Sequence, residues 1–134
     1  MFLSMLNDQQ KLLFRELCLY IVYADGIYTD DEELLVKSYC YEMKIEYTPN
    51  KQSKDYASTV NQIVKISTDY EKRLIGFELM GVVYADGEFQ DEECDLIKIY
   101  SKVSGIPMDK LNEFGELVQQ AIVLDKKIIN ALES

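Results

Sequence analysis

A 14-residue segment occurs twice in this chain, and this repeat constrains the fold more than any other feature. Residues 22–35 read VYADGIYTDDEELL and residues 83–96 read VYADGEFQDEECDL, an offset of 61 residues without a gap. The pair Tyr39 and Tyr100 keeps the same offset beyond the segment. Self-similarity at a fixed spacing is typical of duplicated supersecondary units. Each copy predicts an apolar helix, an Asp-Gly turn and the acid-rich start of a second helix.

Helical periodicity extends over the rest of the chain, and no run of residues alternates with a period of two. The fold class is therefore predicted to be all-α, a compact bundle of two pseudo-symmetric three-helix halves with about six to seven helices. The halves cover about 7–66 and 68–133 of a single domain, 1–134. The nearly all-apolar first and fourth helices should pack together in the centre, because a helix that is apolar on every face is a buried one.

Local signals predict where the helices begin and end. Asn7 or Asp8 caps the first helix, and Ser67 or Thr68 caps the fourth. Glycine in the left-handed conformation ends helices one and five, at Asp25–Gly26 and Gly105. The second helix is predicted at 30–45, with Leu34, Leu35, Ser38 and Tyr39 inward and Met43 as a further candidate. The third runs from a Thr48–Pro49 start to about Ile66, and the fifth covers 91–104. The last runs from Pro107 to about Leu132, either continuous or broken near Asp125.

Composition excludes several classes of function. The chain has 14 Lys and Arg against 24 Asp and Glu, a net charge of −10, whereas nucleic-acid binding requires positive charge against phosphate. It contains no histidine, which removes the commonest general base and the His-containing nucleophile pairs. The three cysteines form no C-x-x-C pair, and the odd number argues against a disulfide framework. These features predict a protein that is not an enzyme.

The sequence shows no targeting or membrane-spanning segment. The longest apolar run, residues 17–24, has 8 residues, and a span needs about 20. We therefore expect a cytoplasmic protein without direct membrane insertion, which a partner recruits to the inner face of the membrane if it works there.

Acidic residues concentrate at both repeated turns. In each copy an Asp precedes the Gly and a Glu follows it six residues later, as in the back half of an EF-hand loop. Asp25 and Glu32 hold these positions in the first copy, and Asp86 and Glu93 hold them in the second. The spacing predicts a divalent cation, Ca, Mg or Mn, on these four carboxylates. The flanking candidate ligands are Asp30, Asp31, Asp91 and Glu92.

A complete EF-hand is excluded, because two of its earlier ligand positions fall in the apolar helix. In the first copy those positions are Tyr23 and Ile21. Any cation site must therefore be open or take ligands from elsewhere. The alternative interpretation is structural, since Thr29 and Glu32 have the spacing of a helix capping box. In the second copy Gln90 is a poor cap, which weakens that alternative for Glu93.

The doubled Tyr-Ala-Asp-Gly, with a Glu six residues after each Gly, resembles the tellurite-resistance TerB-like family over most of the chain, from about Asn7 to Leu132. The resemblance implies a compact helical protein with two related halves and acidic turns. It also implies a non-enzymatic module of bacterial stress and tellurite-resistance systems, with membrane-protein partners and metal binding. Under this resemblance the acidic positions of the family fall on Asp25, Glu32, Asp86 and Glu93.

Three functions remain open at this point. The first is a TerB-like adaptor that binds a divalent cation through the acidic turns and docks protein partners. The second is a metal-independent acidic interaction module whose acidic turns only cap helices. The third is a metal-assisted hydrolase with clustered carboxylates, although no nucleophile or phosphate-binding loop accompanies the acids.

Overall fold

The computed structural model describes residues 1–24, 26, 28–49, 55–85 and 91–134. Within these ranges the chain forms helices and no strand, which confirms the predicted all-α class. A short 3-10 turn, Leu3–Met5, comes first. The α-helices are α1 (Asp8–Val22), α2 (Asp30–Met43), α3 (Tyr56–Lys65), α4 (Asp69–Val83), α5 (Asp91–Ser104) and α6 (Met108–Glu133).

The sequence repeat is also a structural repeat. Both ends of α4 lie 61 residues after the ends of α1, and both ends of α5 lie 61 residues after those of α2. The third helices of the two halves differ, since α3 has 10 residues and α6 has 26. The two halves are therefore alike in their first two helices and unlike in their third.

Local capping residues explain where most helices begin. The Asn7 side chain accepts a hydrogen bond from the Gln10 amide at 2.8 Å, and the Gln10 side chain accepts one from the Asn7 amide at 2.8 Å. Thr68 and Glu71 form the same reciprocal pair at α4. Gly26, with φ +80°, follows α1, and Gly105, also with φ +80°, follows α5. The predicted caps at Asn7 and Thr68 and the predicted glycine positions at Gly26 and Gly105 are thus confirmed.

The predicted start of the third helix at Thr48–Pro49 is wrong. Residues 45–49 are not helical, and the cap of α3 is Asp55, which accepts a hydrogen bond from the Ser58 amide at 2.6 Å. Tertiary contacts explain the difference, because the Tyr23 hydroxyl donates to the Pro49 carbonyl oxygen at 2.7 Å. This bond ties the loop to the end of α1, and the local Thr-Pro signal is overridden.

The two central helices are α1 and α4, as predicted, and they pack against each other. Phe14 and Leu17 of α1 and Leu79 of α4 are fully buried. On one side α3 packs against both α1 and α5. On the other side α6 packs against α4 and α5, so each central helix is covered by the third helix of its own half.

The inner face of α2 agrees with the prediction in part: Tyr39 and Met43 are buried as predicted, whereas Leu34 and Ser38 are not. Its buried apolar residues are Val36, Tyr39, Cys40 and Met43, whereas Leu34 is 65% exposed and Ser38 is exposed. The helix is therefore rotated relative to the predicted face, and Leu34 is left on the surface.

The last helical region is one continuous helix without a break near Asp125. Its first half is held close to α4, because a Cβ atom on Gly115 would lie 2.9 Å from the Tyr84 ring and 3.0 Å from the end of Met80. From Val123 to the end of the helix every residue is exposed. Over the residues that the structure describes, no helix combines the length and apolarity that a membrane span requires.

Candidate functional site

Glu32, a predicted cation ligand, serves as a capping residue of α2. Its Oε1 accepts hydrogen bonds from the Thr29 amide at 3.0 Å and from the Thr29 hydroxyl at 3.0 Å. The Glu32 amide in turn donates to the Thr29 hydroxyl oxygen at 3.2 Å. Gln10 and Glu71 close the same capping box in α1 and α4. Those two helices do not begin in the doubled acidic motif, so the arrangement at Glu32 has a structural explanation that needs no cation.

The equivalent capping box of α4 changes the pKa of its own capping glutamate, Glu71. The hydrogen bond that the Thr68 amide donates lowers the pKa of Glu71. A carboxylate with a lowered pKa stabilises the folded state above its unfolded pKa, and this contribution is lost as the pH falls through the lowered value.

The other predicted ligands are only partly within the described residues. Glu93 is buried near the start of α5, at 4% exposure. The flanking acids point to solvent, since all four are exposed: Asp30, Asp31, Asp91 and Glu92. Asp25 and Asp86 lie outside the described residues, as does Gln90.

The structure does not gather the predicted ligands that it describes into one site. Within the described ranges, no three Asp, Glu or Cys residues lie close enough together to hold a metal ion. Cation binding by the acidic turns therefore stays a prediction, and Asp25 and Asp86 are central to it.

Substitution of Glu32 separates a cap from a cation ligand. Glutamine can close a capping box, as Gln10 does in α1, but it lacks the carboxylate charge that calcium favours. Glu32 is 3% exposed, and we expect Glu32→Gln to cost no more than about 1 kcal/mol in urea unfolding, because glutamine can keep the capping hydrogen bonds. We expect Thr29→Ala to lose about 0.5–2 kcal/mol with the cap. Thr68→Ala, the same cap at α4, is the matched control and should lose a similar amount.

The cation prediction is measured on the same variants by NMR titration with calcium, magnesium and manganese. Saturable shifts at Gly26 and Gly87 that vanish in Glu32→Gln would contradict a purely structural role of Glu32. Shifts that persist in Glu32→Gln but vanish in Asp25→Asn would indicate a site without Glu32. An unchanged wild-type spectrum at millimolar cation would contradict the predicted site.

A groove of about 1200 Å³ between α2, α4 and the second half of α6 is a second candidate site. Leu34 and Leu35 of α2 form one wall. The α6 wall carries Leu124, which is 58% exposed, and Ile128, which is 49% exposed. The groove therefore presents large apolar side chains to solvent on both of its sides, an arrangement that marks interaction surfaces in soluble proteins.

Polar groups at the base of the groove are held by hydrogen bonds. Tyr39 donates to the carbonyl oxygen of Glu78 at 3.3 Å. The Glu78 Oε1 accepts from the Met1 amino group at 3.0 Å and from the Phe2 amide at 2.9 Å. Burial, followed by the charge of Glu78, raises the pKa of Tyr39 well above its usual range. Tyr39 therefore stays neutral and has the role of a structural donor.

The 61-residue repeat relates this groove to the surface on which α3 packs. The Tyr56 ring of α3 lies edge-on to Tyr20 of α1, with centroids 5.7 Å apart. The Tyr56 hydroxyl donates to the Leu96 carbonyl oxygen of α5 at 3.0 Å. The repeat counterparts of Tyr20 and Leu96 are Gly81 and Leu35, and both line the groove. In the first half α3 packs against both α1 and α5, whereas in the second half α6 covers α4 and leaves the α2 side of the equivalent surface open as the groove.

Comparison with known proteins gives no further information about either candidate site. No protein-family model matches the chain, and no curated protein or solved structure is significantly similar to it. The described part of the chain is an all-helical repeat protein whose groove corresponds to the surface on which α3 packs in the first half.

Proposed function

We propose that this chain is a non-enzymatic protein-interaction module, an adaptor that receives an α-helix of a protein partner in the groove between α2, α4 and α6. The observation that carries the proposal is the repeat relation between the groove and the seat of α3. In the first half that surface accommodates a helix. Its counterpart has apolar walls, and burying apolar surface is the main driving force of protein association. Helix-in-groove docking is a recurring mode of peptide recognition.

The size of the groove supports a helix over a small molecule. Small-molecule sites are usually enclosed and measure about 300–1,000 Å³, and this groove is larger, at about 1200 Å³, and partly open to solvent. Most of its lining is apolar, and its charged side chains include Asp31 at the rim and Lys126 on α6. Such charges orient a helical partner and contribute to specificity.

The resemblance to the TerB-like family supports a cellular setting for this adaptor. The proposed setting is a bacterial stress or tellurite-resistance system in the cytoplasm, with recruitment to the inner face of the membrane by a membrane-protein partner. A divalent cation in the acidic turns is a separate part of the proposal, and the groove can function without it. The capping role of Glu32 favours a metal-independent interaction module.

Site-specific photo-crosslinking in the native host tests the proposal. A photoreactive phenylalanine analogue replaces Leu34, which is 65% exposed in the groove, and the control replaces Tyr41, which is 87% exposed on α2 and does not line the groove. We expect a defined covalent adduct from position 34 and none from position 41. Mass spectrometry should map the adduct to a helical segment of one protein. Equal labelling from both positions, or none from position 34, would contradict docking in the groove.

A further inference from the structure

We propose that the helix received by the groove is α6 of a second copy of this chain, so that two copies form a reciprocal dimer. This inference rests on the proposed function of the groove as a helix-docking surface. It names the partner from features of the chain itself.

The first of these features is the distal segment of α6, residues 119–133, in which every side chain except those of Ala121 and Ile122 is exposed. Its apolar side chains recur at helical spacing and form one stripe along the helix. Four large members of the stripe, Leu124, Ile128, Ile129 and Leu132, are between 46% and 81% exposed. Val123, beside the stripe, is 51% exposed. Isolated helices of about 12–15 residues are marginal in water. The distal segment continues the anchored first half of α6, and a surface that covers its stripe would stabilise it further by burying apolar area.

The second feature is the fit of lengths. The seat that α3 covers in the first half takes a helix of 10 residues, about 15 Å long at 1.5 Å per residue. The distal segment has 15 residues, about 22 Å on the same rise. It is long enough to span the groove between α2, α4 and α6 of another copy.

The third feature is charge. The chain carries −10 overall, so two copies repel each other over most of their surfaces. The distal segment is an exception, because its two acids, Asp125 and Glu133, are balanced by Lys126 and Lys127. The apolar stripe therefore lies on a segment without net charge, where two acidic chains can approach with little repulsion.

Groove and stripe belong to the same chain, and this satisfies the geometry of a symmetric dimer. In a two-fold interface each copy offers both halves of the contact, and the assembly closes at two chains. Twenty residues line the groove, and Ile129 and Leu132 extend the stripe beyond it. A standard stable interface involves about 20–30 residues on each side, so the available surface is sufficient.

Sedimentation velocity of the full chain, from micromolar to millimolar concentration, tests the inference. We expect a species of twice the 15.6 kDa chain mass. Leu34→Glu damages the groove, and Leu132→Glu damages the stripe at a residue outside the groove. Each should raise the dimer dissociation constant at least about tenfold, because a buried unpaired charge is costly. Tyr41→Glu, on exposed α2 surface outside the groove, should leave it unchanged. Circular dichroism melts verify that each variant is folded.

Mixing the two damaged variants tests reciprocity. The Leu34→Glu chain retains an intact stripe, and the Leu132→Glu chain retains an intact groove. Their mixture should therefore form a heterodimer with one intact contact, which is tighter than either homodimer. A dimer that survives Leu34→Glu unchanged would overturn the groove as the receiving surface.

A monomer at every concentration would overturn the second copy as the partner. If Leu34 then still crosslinks to a helix of another protein, the proposed function stands and only this inference fails. If Leu34 gives no adduct as well, both fail.

Discussion

Replacing Phe14 with alanine is expected to lower the free energy of unfolding by about 3–5 kcal/mol. Phe14 is fully buried in α1, and its ring centroid lies 5.7 Å from that of Tyr39 in α2. Truncation removes the transfer free energy of the ring and leaves a cavity at a junction of packed helices. Urea denaturation followed by circular dichroism measures the loss.

Leu12→Ala is the matched control for this prediction. Leu12 lies two residues earlier on the same helix and is 46% exposed, so its truncation should cost no more than about 0.5–1 kcal/mol. If the two variants unfold at the same urea concentration, α1 does not occupy the centre of the bundle, and the packing described for it is wrong.

Replacing Leu111 with alanine is expected to cost about 2–5 kcal/mol. Leu111 is fully buried at the start of α6, and a Cβ atom on Gly76 of α4 would lie 2.9 Å from its Cδ2 atom. This close approach anchors α6 to α4, so the variant should lose stability and also raise amide hydrogen exchange in the first half of α6. Thermal or urea unfolding together with hydrogen exchange measures both effects.

The control for Leu111 is Leu117→Ala on the same helix. Leu117 is 46% exposed and lies outside the groove lining, so its truncation should change the unfolding free energy by less than about 1 kcal/mol. Equal losses from the two leucines would show that α6 contacts α4 through a different face.

The features that the sequence predicted well are those set by neighbouring residues. The caps at Asn7 and Thr68 act within three positions of the chain. Gly26 and Gly105 adopt the left-handed conformation that their positions require. The 61-residue repeat made the central pairing of α1 and α4 predictable. Both copies are apolar on nearly every face, so both must be buried, and packing them against each other buries part of both surfaces.

The features that the sequence did not predict depend on distant parts of the chain. Leu34 is apolar and was expected to face inward. The helical period of α2 does not indicate that the groove beside Leu34 is left uncovered by the other helices. Its repeat counterpart is the exposed Asp95, and this mismatch was the available signal. The Thr48–Pro49 segment is likewise held outside a helix by a distant group, since Pro49 accepts the bond from Tyr23 across 26 residues of sequence, while α3 begins at its local cap Asp55.

The candidate site shows the same division. The capping box at Glu32 follows from a local spacing and could be predicted, whereas the groove requires three helices to be placed in space. The helical period of α6 continues unchanged from Leu111 to Leu132. Periodicity identifies an apolar stripe, but it does not indicate whether the molecule's own core or another molecule covers it.

The unequal third helices also determine how many attachment points a chain possesses. If both halves carried a third helix like α6, the chain would present two equivalent open surfaces, and a molecule with two separate attachment points can be linked end to end into polymers. The short α3 covers one of these surfaces by packing against α5, and the long α6 leaves the α2 side of the other open. The number of open docking surfaces is therefore one. In the proposed dimer, the difference in a single helix therefore leaves each chain one receiving surface, and the assembly stops at two copies.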